Sequence, residues 1–323
     1  MCTAEATIDI DGVDAFIHLS EHPSIRERQL KLAGRILTAS GATRRHKGPL
    51  SEERLEIEWL AVELTKQRAE RPLIVGTRLI FQRQREAVLE NIEQLREEGV
   101  ELSEWADYQR KDPALVSRLF DLTRWNREIK DELSPRALQA IQEGFERGLS
   151  RIEAEGSFNA NRPRVRQLIR EVELQSEFVN RTTQETINEL VTEANNEGLD
   201  FEELGERISD RFQDWERWRA DMHGRTAGTA SFEGGQLDSF EMAGVPKEFW
   251  LTQRDSRVRG RVPGRYADAR FDHWEADGQT VAIDEPFEVS GEALKHPGDP
   301  SGSPGNIIHC RCTQVPQLEQ EEE

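Results

Sequence analysis

The chain has 323 residues, of which 36% are hydrophobic and 33% are charged, and its formal net charge is −19 at pH 7. This length allows two domains, and the low apolar content favours elongated packed helices over a thick α/β core. The net charge excludes DNA binding over the whole surface, since phosphate contacts need clustered lysine and arginine. No apolar run approaches the roughly 18 residues of a membrane span, and the N-terminus has no secretion-signal pattern.

Arginine supplies nearly all of the positive charge, because only seven of the 43 basic residues are lysines. An acidic, lysine-poor surface is typical of proteins from halophilic hosts, which stay soluble in brine where screening shortens to about 3 Å at 1 M salt. A GC-rich genome that favours arginine codons explains the same composition. The halophilic interpretation predicts a higher melting temperature at molar KCl than at low salt, and codon bias predicts no gain.

The first predicted elements are two short strands. Residues 7–19 alternate weakly between apolar and polar side chains, with Asp11-Gly12 as the turn between the strands. From about Ser24 to Trp218 the apolar spacing is helical, with short breaks. The N-terminal region is therefore predicted to be mainly α-helical.

Local signals divide this helical region. Ser51 is suited to cap one helix, which should stop before Pro72, and the next helix should run to Gly99. Ser134-Pro135 predicts the start of another helix, with proline at its first position. The expected apolar faces of the last two helices are Phe81, Val88, Ile92 and Leu95, and Leu138, Ile141, Phe145 and Leu149.

Sequence signals for helix starts and ends are more frequent after a predicted loop at Asn159–Pro163. Thr182 is followed three residues later by glutamate and predicts a capped helix start, and Asp200 shows the same pattern. Gly198 predicts a left-handed helix end between them. The expected apolar faces are Val165, Leu168, Ile169 and Val172, then Ile187, Leu190, Val191 and Ala194, then Leu204, Ile208 and Phe212.

The composition changes after Gly234-Gly235, where prolines and short apolar fragments become frequent. The predicted fold class is α+β, with a predominantly α-helical N-terminal region of elongated helices followed by a small, turn-rich α+β module. The predicted domains are a helical region over 1–160, a second helical region over 161–235, the α+β module over 236–316, and an acidic tail over 317–323.

The C-terminal module contains an ordered set of tryptophan, histidine, cysteine, charged and turn residues. In chain order the set is Trp250, Asp255, Arg257, Arg259, His273, Asp277, Gly278, Pro297, Gly298, Asp299, Cys310 and Cys312. This order resembles the C-terminal domain of the phage Mu F-like minor head proteins, also called phage head morphogenesis proteins. With the preceding helices, the resemblance covers about residues 165–316. It departs from the family in a longer, arginine-rich spacing before His273 and in a histidine at position 309.

The resemblance implies a structural protein present in few copies in the head of a tailed virus, near the portal vertex, and assembled in the host cytoplasm. Its expected action is in head assembly, DNA packaging or DNA delivery. The expected partner is the portal protein, with the major capsid protein and packaged double-stranded DNA as further candidates, and no membrane. The alternative functions are an internal DNA-contacting protein ejected with the genome, and a processing hydrolase or transferase.

The cysteines and histidine admit three interpretations. Two cysteines one residue apart cannot easily form a relaxed disulfide, but they can pack in a clasp that closes the module, without a cofactor. They can also bind structural zinc through Cys310, Cys312 and His273, with His309 or Asp255 as fourth ligand. In the third, Cys310 is a nucleophile with His273 and Asp255, although no oxyanion hole or nucleophile turn accompanies it. The expected role is the clasp, and no enzymatic activity is expected.

Two groups of arginines are candidate contacts with DNA or with an acidic face of the portal. The alternative for each arginine is pairing with one of the chain's 62 acidic residues. The first group is Arg254, Arg257, Arg259, Arg261, Arg265 and Arg270, and the second is Arg162, Arg164, Arg166 and Arg170.

Overall fold

A computed structural model gives the fold of the protein. It describes residues 5–10, 13–18, 52–102, 115–253, 258–261 and 270–318. Long helices occupy most of the chain, and short antiparallel strands follow them near the C-terminus. The predicted α+β class is confirmed. Ser51, the predicted cap, lies outside the described residues.

The described helices differ widely in length. They are α1 (Glu52–Glu97), α2 (Leu115–Leu119), α3 (Leu122–Ile152), α4 (Pro163–Glu197), α5 (Phe201–Asp214), α6 (Ala220–Met242) and α7 (Pro304–Ile307), with a π-helical segment at Trp215–Arg219 between α5 and α6.

All described strand pairs are antiparallel. The strands are β1 (Glu5–Ile10), β2 (Val13–His18), β3 (Lys247–Leu251), β4 (Thr280–Ala282), β5 (Phe287–Val289), β6 (Glu292–Leu294) and β7 (Thr313–Gln317). β3 is the central strand of a three-stranded sheet, between β4 and β7, and β5 pairs with β6. The predicted N-terminal strand pair is confirmed, since β1 and β2 pair with Ile10 opposite Val13.

The chain forms two compact units that interleave in sequence. The mixed unit comprises residues 1–72, 137–169 and 225–323, and the helical unit comprises residues 73–136 and 170–224. Each boundary between them falls inside a continuous helix, namely α1, α3, α4 or α6. The α+β module therefore folds together with helical segments from the first half of the chain.

The helical unit has one large apolar core. Phe81, Val88, Ile92 and Leu95 of α1 pack there with the predicted faces of α5 and of the second half of α4. The predicted helix ends are also present, because Gly99 (φ 77°) follows α1 and Gly198 (φ 73°) follows α4. These apolar faces, predicted from spacing alone, are confirmed.

The start of α5 is a complete capping box. The Asp200 carboxylate accepts hydrogen bonds from the backbone N–H groups of Glu202 and Glu203 at 2.9 and 3.0 Å, and the Glu203 carboxylate accepts from the Asp200 N–H at 3.0 Å. These bonds satisfy backbone donors that have no partner within the helix.

Replacing Asp200 with alanine should lower the free energy of unfolding by about 1 kcal/mol, since both backbone donors lose their acceptor. Urea denaturation followed by circular dichroism measures the change. The matched control is Asp210→Ala on the exposed face of the same helix, expected within about 0.5 kcal/mol of the wild type. Equal effects of the two substitutions would contradict the capping role.

The π-helical segment Trp215–Arg219 contains both tryptophans that follow α5. Trp215 is buried in the core of the helical unit, whereas Trp218 is 55% exposed. Arg219, the last residue of the π-helical segment, is buried. Its guanidinium lies 4.9 Å from the centre of the Trp215 ring and donates to the Val179 carbonyl at 2.9 Å. Burial lowers the pKa of Arg219 to about 10. Of the two tryptophans, only Trp218 is available to a partner.

Residues 226–240 of α6 are buried without exception. Many are small, and glycines allow close helix contacts: a Cβ on Gly235 would lie 2.1 Å from the Ile141 carbonyl oxygen, and one on Gly144 would lie 2.0 Å from that of Phe232. The Gly234-Gly235 pair, where the composition changes, therefore lies inside a helix that continues to Met242.

Three predicted helix boundaries are wrong. α1 continues through Pro72, α3 through Pro135 and α4 through Thr182. An interior proline costs about 3 kcal/mol, but buried side chains stabilise the helix on both sides of each proline. The Thr182 hydroxyl donates to the Phe178 and Val179 carbonyls within its own helix instead of capping a new one.

Candidate functional site

The C-terminal module is built around Trp250 on the central strand β3. Its side chain is fully buried and meets the Phe287 ring edge-on at 5.3 Å and the His273 ring edge-on at 5.9 Å. The same cluster contains Cys310 and Cys312, which precede the neighbouring strand β7. Strand pairing therefore brings the first and last members of the ordered set together.

His273, Cys310 and Cys312 form the chemically distinctive part of this cluster. The His273 Nδ1 atom lies 3.4 Å from the Cys312 sulfur and 3.7 Å from the Cys310 sulfur. All three ligand atoms lie within 4.8 Å of one another, and all three residues are buried. Both cysteines are free thiols. Among the described residues, this is the group whose atoms could hold a metal ion.

The pKa values of the two thiols are shifted in opposite directions. A hydrogen bond from Cys312, together with the neighbouring His273, holds the pKa of Cys310 well below its ordinary value. Burial and the hydrogen bond to Cys310 raise the pKa of Cys312 well above its ordinary value. The hydrogen bond between the two thiols therefore favours loss of the proton from Cys310 over loss from Cys312.

The loops that carry these ligands are fixed by backbone contacts. Arg259 connects them, since its carbonyl accepts from the His273 N–H at 3.0 Å and its guanidinium donates to the Ile308 carbonyl at 2.9 Å. Asp277 accepts from the Thr252 N–H at 2.8 Å. Gly278 has φ 82° and donates to the Trp250 carbonyl at 2.8 Å. The predicted acidic-glycine turn thus positions the strand that bears Trp250.

The Pro297-Gly298-Asp299 turn is buried, and its residues fix the conformation of the backbone. The Asp299 carboxylate accepts from the N–H groups of Lys295 and Ser301 at 2.7 and 2.9 Å. Gly298 has φ 75°, and a Cβ there would lie 2.9 Å from the Thr229 methyl group of α6. This turn lets the module pack closely against that helix.

Other predicted site residues lie apart from the cluster or outside the described residues. His309 is exposed with φ 52° and is absent from the group of nearby ligand atoms, so its prediction as a zinc ligand is wrong. The left-handed backbone at this residue turns its side chain to solvent while Cys310 turns inward. Four predicted residues cannot be placed because they lie outside the described residues: Arg254, Asp255, Arg257 and Arg265.

Several of the described arginines contact the protein's own carboxylates. Arg162 lies 3.1 Å from Asp238, and Arg164 donates to Glu241 at 3.0 Å. Arg261 is 73% exposed and 3.9 Å from Asp272. Exposed arginines of the two groups also include Arg166 and Arg270. These contacts favour intramolecular pairing for Arg162 and Arg164 over contact with DNA.

A buried charge network lies against the cysteine loop and was missed from sequence. Lys66 of α1 is 1% exposed, lies 3.4 Å from Glu63 and 3.6 Å from Glu233, and donates to the Cys312 carbonyl at 3.1 Å. Two turns of α1 earlier, the Trp59 indole N–H donates to the Arg311 carbonyl at 3.0 Å. Two side chains of α1 thus hold the backbone of the Cys-Arg-Cys segment.

The sequence did contain a signal for this network. The buried positions Trp59, Val62, Ala69 and Leu73 of α1 follow helical spacing, and Lys66 occupies the position between them where an apolar residue is expected. A lysine on an apolar face is almost never fully buried unless it is paired. The partners themselves could not be identified, because Glu233 is far from Lys66 in sequence and the chain offers many other carboxylates.

The buried charge network shifts the pKa values of its carboxyl groups in opposite directions. Burial favours a raised pKa for Glu63, but the charges of Lys66 and Arg311 outweigh burial and lower it to about 2. Burial dominates at the other two carboxyls and raises the pKa of Glu70 to about 7 and that of Glu233 to about 7. Glu233 also accepts from the Thr313 hydroxyl at 3.1 Å, which attaches β7 to α6.

These shifts predict that the stability falls as the pH rises from 5 to 7. In this window Glu70 and Glu233 keep protons in the folded state that the unfolded chain releases, so each contributes a loss of up to about 1.4 kcal/mol per pH unit. Burial also raises the pKa of Glu248 well above its ordinary value, which adds to the loss. Burial lowers the pKa of His223 to about 4, so this residue opposes the loss below pH 6.5. Glu63 acts oppositely, and its contribution is lost only as the pH falls below 4.5 towards 2. Urea unfolding at pH 5, 6 and 7 measures the slope.

Glu233→Gln should reduce this slope by removing one of the carboxyl groups whose pKa is raised. The matched control is Glu288→Gln, which changes an exposed carboxylate of the same unit and should leave the slope unchanged. The same slope in Glu233→Gln and in the wild type would contradict the raised pKa of Glu233.

Comparison with protein-family models, with curated proteins and with solved structures finds no match for this chain. Within the part of the chain that the structure describes, no helix is both long and apolar enough to cross a membrane.

Proposed function

We propose that the protein is a structural minor head protein of a tailed virus, acting near the portal vertex in head assembly, DNA packaging or DNA delivery. One observation carries the proposal: residues that are scattered from Trp250 to Cys312, in an order that resembles the Mu F-like motif, meet in a single buried cluster. Turn residues of the same motif, Asp277 and Asp299, fix the backbone around it. Motif residues that hold the fold of the C-terminal module together suit a module that docks onto a partner protein.

The proposed portal-binding surface lies on the helical unit. Leu174 and Phe178 are 64% and 54% exposed and stand one turn apart on α4, so they share a helix face. Trp218 of the same unit is 55% exposed. Tryptophan is enriched among the residues that dominate binding energy at protein interfaces, and phenylalanine is enriched in the interfaces themselves. We therefore expect Phe178 and Trp218 to contribute most to capture of the portal.

Co-expression with the portal protein of the same virus tests the proposal. The wild-type protein should co-purify with the portal at high salt, and Phe178→Ser with Trp218→Ser should reduce the captured amount at least tenfold without changing the melting temperature. Met242→Ser is the control, since Met242 is also an exposed apolar residue, at 36%, but belongs to the mixed unit. Failure of the wild type to bind the portal would reject this role.

The same preparations discriminate the alternatives. An internal DNA-contacting protein would leave virions together with the genome, and its binding would weaken steeply with salt. An enzyme would show turnover that Cys310→Ser abolishes. The His273 nitrogen lies 3.7 Å from the Cys310 sulfur, but both residues are buried, at 2% and 5% exposure, which disfavours access by a substrate.

A further inference from the structure

The distances within the His-Cys-Cys cluster match those of a metal coordination sphere. Zinc binds sulfur at about 2.3 Å and imidazole nitrogen at about 2.0–2.1 Å, so neighbouring sulfur and nitrogen ligands of a tetrahedron are about 3.5 Å apart. The two distances from His273 Nδ1 to the sulfurs are 3.4 and 3.7 Å. Both nitrogen–sulfur separations are therefore close to the tetrahedral value, and all three ligand atoms lie within 4.8 Å of one another.

The ligands come from two separate loops that the rest of the mixed unit fixes in place. The Arg311 and Cys312 carbonyls accept from side chains of α1, at 3.0 and 3.1 Å. The backbone N–H of His273 donates to the Arg259 carbonyl. Ligands that are already held in position lose little conformational entropy when an ion binds.

The charges of the proposed ligands also fit a divalent cation. Two thiolates and a neutral imidazole around a divalent ion have no net charge, so the occupied site buries no uncompensated charge. Thiolate and imidazole ligands favour Zn²⁺ over the oxygen-preferring Mg²⁺ and Ca²⁺.

We propose that His273, Cys310 and Cys312 bind one Zn²⁺ ion, through Nδ1 and the two sulfurs. A water molecule completes the tetrahedron. The ion ties the loop that carries His273 to the segment that leads into β7. Binding to the thiols releases their protons, so the affinity rises with pH. This site is independent of the proposed viral function.

The test uses the full chain, purified under reducing conditions and analysed by mass spectrometry for metals. The expected result is one zinc ion per chain, and a lower melting temperature after the zinc is removed with a chelator. Replacement by Co²⁺ should produce the intense near-ultraviolet absorption of cobalt bound to thiolate. No zinc above background, together with no cobalt–thiolate absorption when Co²⁺ is added to the reduced protein, would overturn the proposal.

Matched substitutions locate the site. Cys310→Ser, Cys312→Ser and His273→Asn should each reduce the zinc content at least tenfold. His309→Asn and Cys2→Ser should retain it, since His309 is exposed beside the cluster and Cys2 is the remaining cysteine of the chain. If a ligand variant does not fold, thiol counting on the wild type decides: zinc should protect two thiols from modification until the chelator is added, and equal reactivity with and without zinc contradicts the site.

Discussion

Replacing Lys66 with methionine is expected to lower the free energy of unfolding by about 3–5 kcal/mol. The substitution keeps most of the side-chain volume but removes the cation between Glu63 and Glu233, which lie 3.4 and 3.6 Å away. It also removes the donor to the Cys312 carbonyl. Uncompensated carboxylates in a buried site are costly, so the loss should exceed that of any exposed ion pair. Denaturant unfolding at pH 7 measures it.

The control is Lys130→Met, because Lys130 and Glu177 form an ion pair whose side chains are 34% and 33% exposed. This change should cost no more than about 1 kcal/mol. Combining Lys66→Met with Glu233→Gln should recover part of the loss, since it removes one uncompensated carboxylate. A Lys66→Met protein as stable as the wild type would show that the network is not a source of stability.

Replacing Trp250 with alanine should cost about 3–5 kcal/mol and should loosen the whole C-terminal module. Trp250 is fully buried, packs against Phe287, and touches the histidine of the His-Cys-Cys cluster. The short strands around it are tied by their backbone pairing, so they cannot collapse far into the resulting cavity. Hydrogen exchange should therefore increase across residues 270–317, and denaturant unfolding should give the size of the loss.

Trp218→Ala is the matched control, since this tryptophan is 55% exposed. It should change stability by no more than about 0.5 kcal/mol. A comparable loss of unfolding free energy in both variants would show that the effect does not depend on the buried position of Trp250. Unchanged exchange in β7 of the Trp250→Ala protein would contradict its central role.

The helical faces could be predicted because they depend on spacing alone. The Asp200 cap and the Gly198 helix end are local signals too, and the structure contains both. Pro72, Pro135 and Thr182 misled the prediction because tertiary packing determines whether a helix continues past an unfavourable residue. The burial of the residues around each proline has no local signature in the sequence.

The candidate site could be predicted in part. The order of its motif residues indicated that Trp250, His273, Cys310 and Cys312 belong together, and the structure brings these four into one cluster. His309 was misassigned because adjacency in sequence says nothing about which side of the backbone a side chain takes. The contacts of α1 with the cysteine segment were not foreseeable, because no periodicity relates residues so far apart.

The contacts that hold the cysteine segment join residues separated by 252 and 246 positions. Contacts of such long range slow folding, because the chain must close large loops before they form. At about 5–20 residues per second, roughly 10–50 s separate the synthesis of Lys66 from that of Cys312. During that time Lys66 and its neighbouring glutamates remain hydrated on the nascent chain, where their charges oppose aggregation. Lys66 therefore gains its hydrogen bond to the Cys312 carbonyl only after 246 further residues have been made.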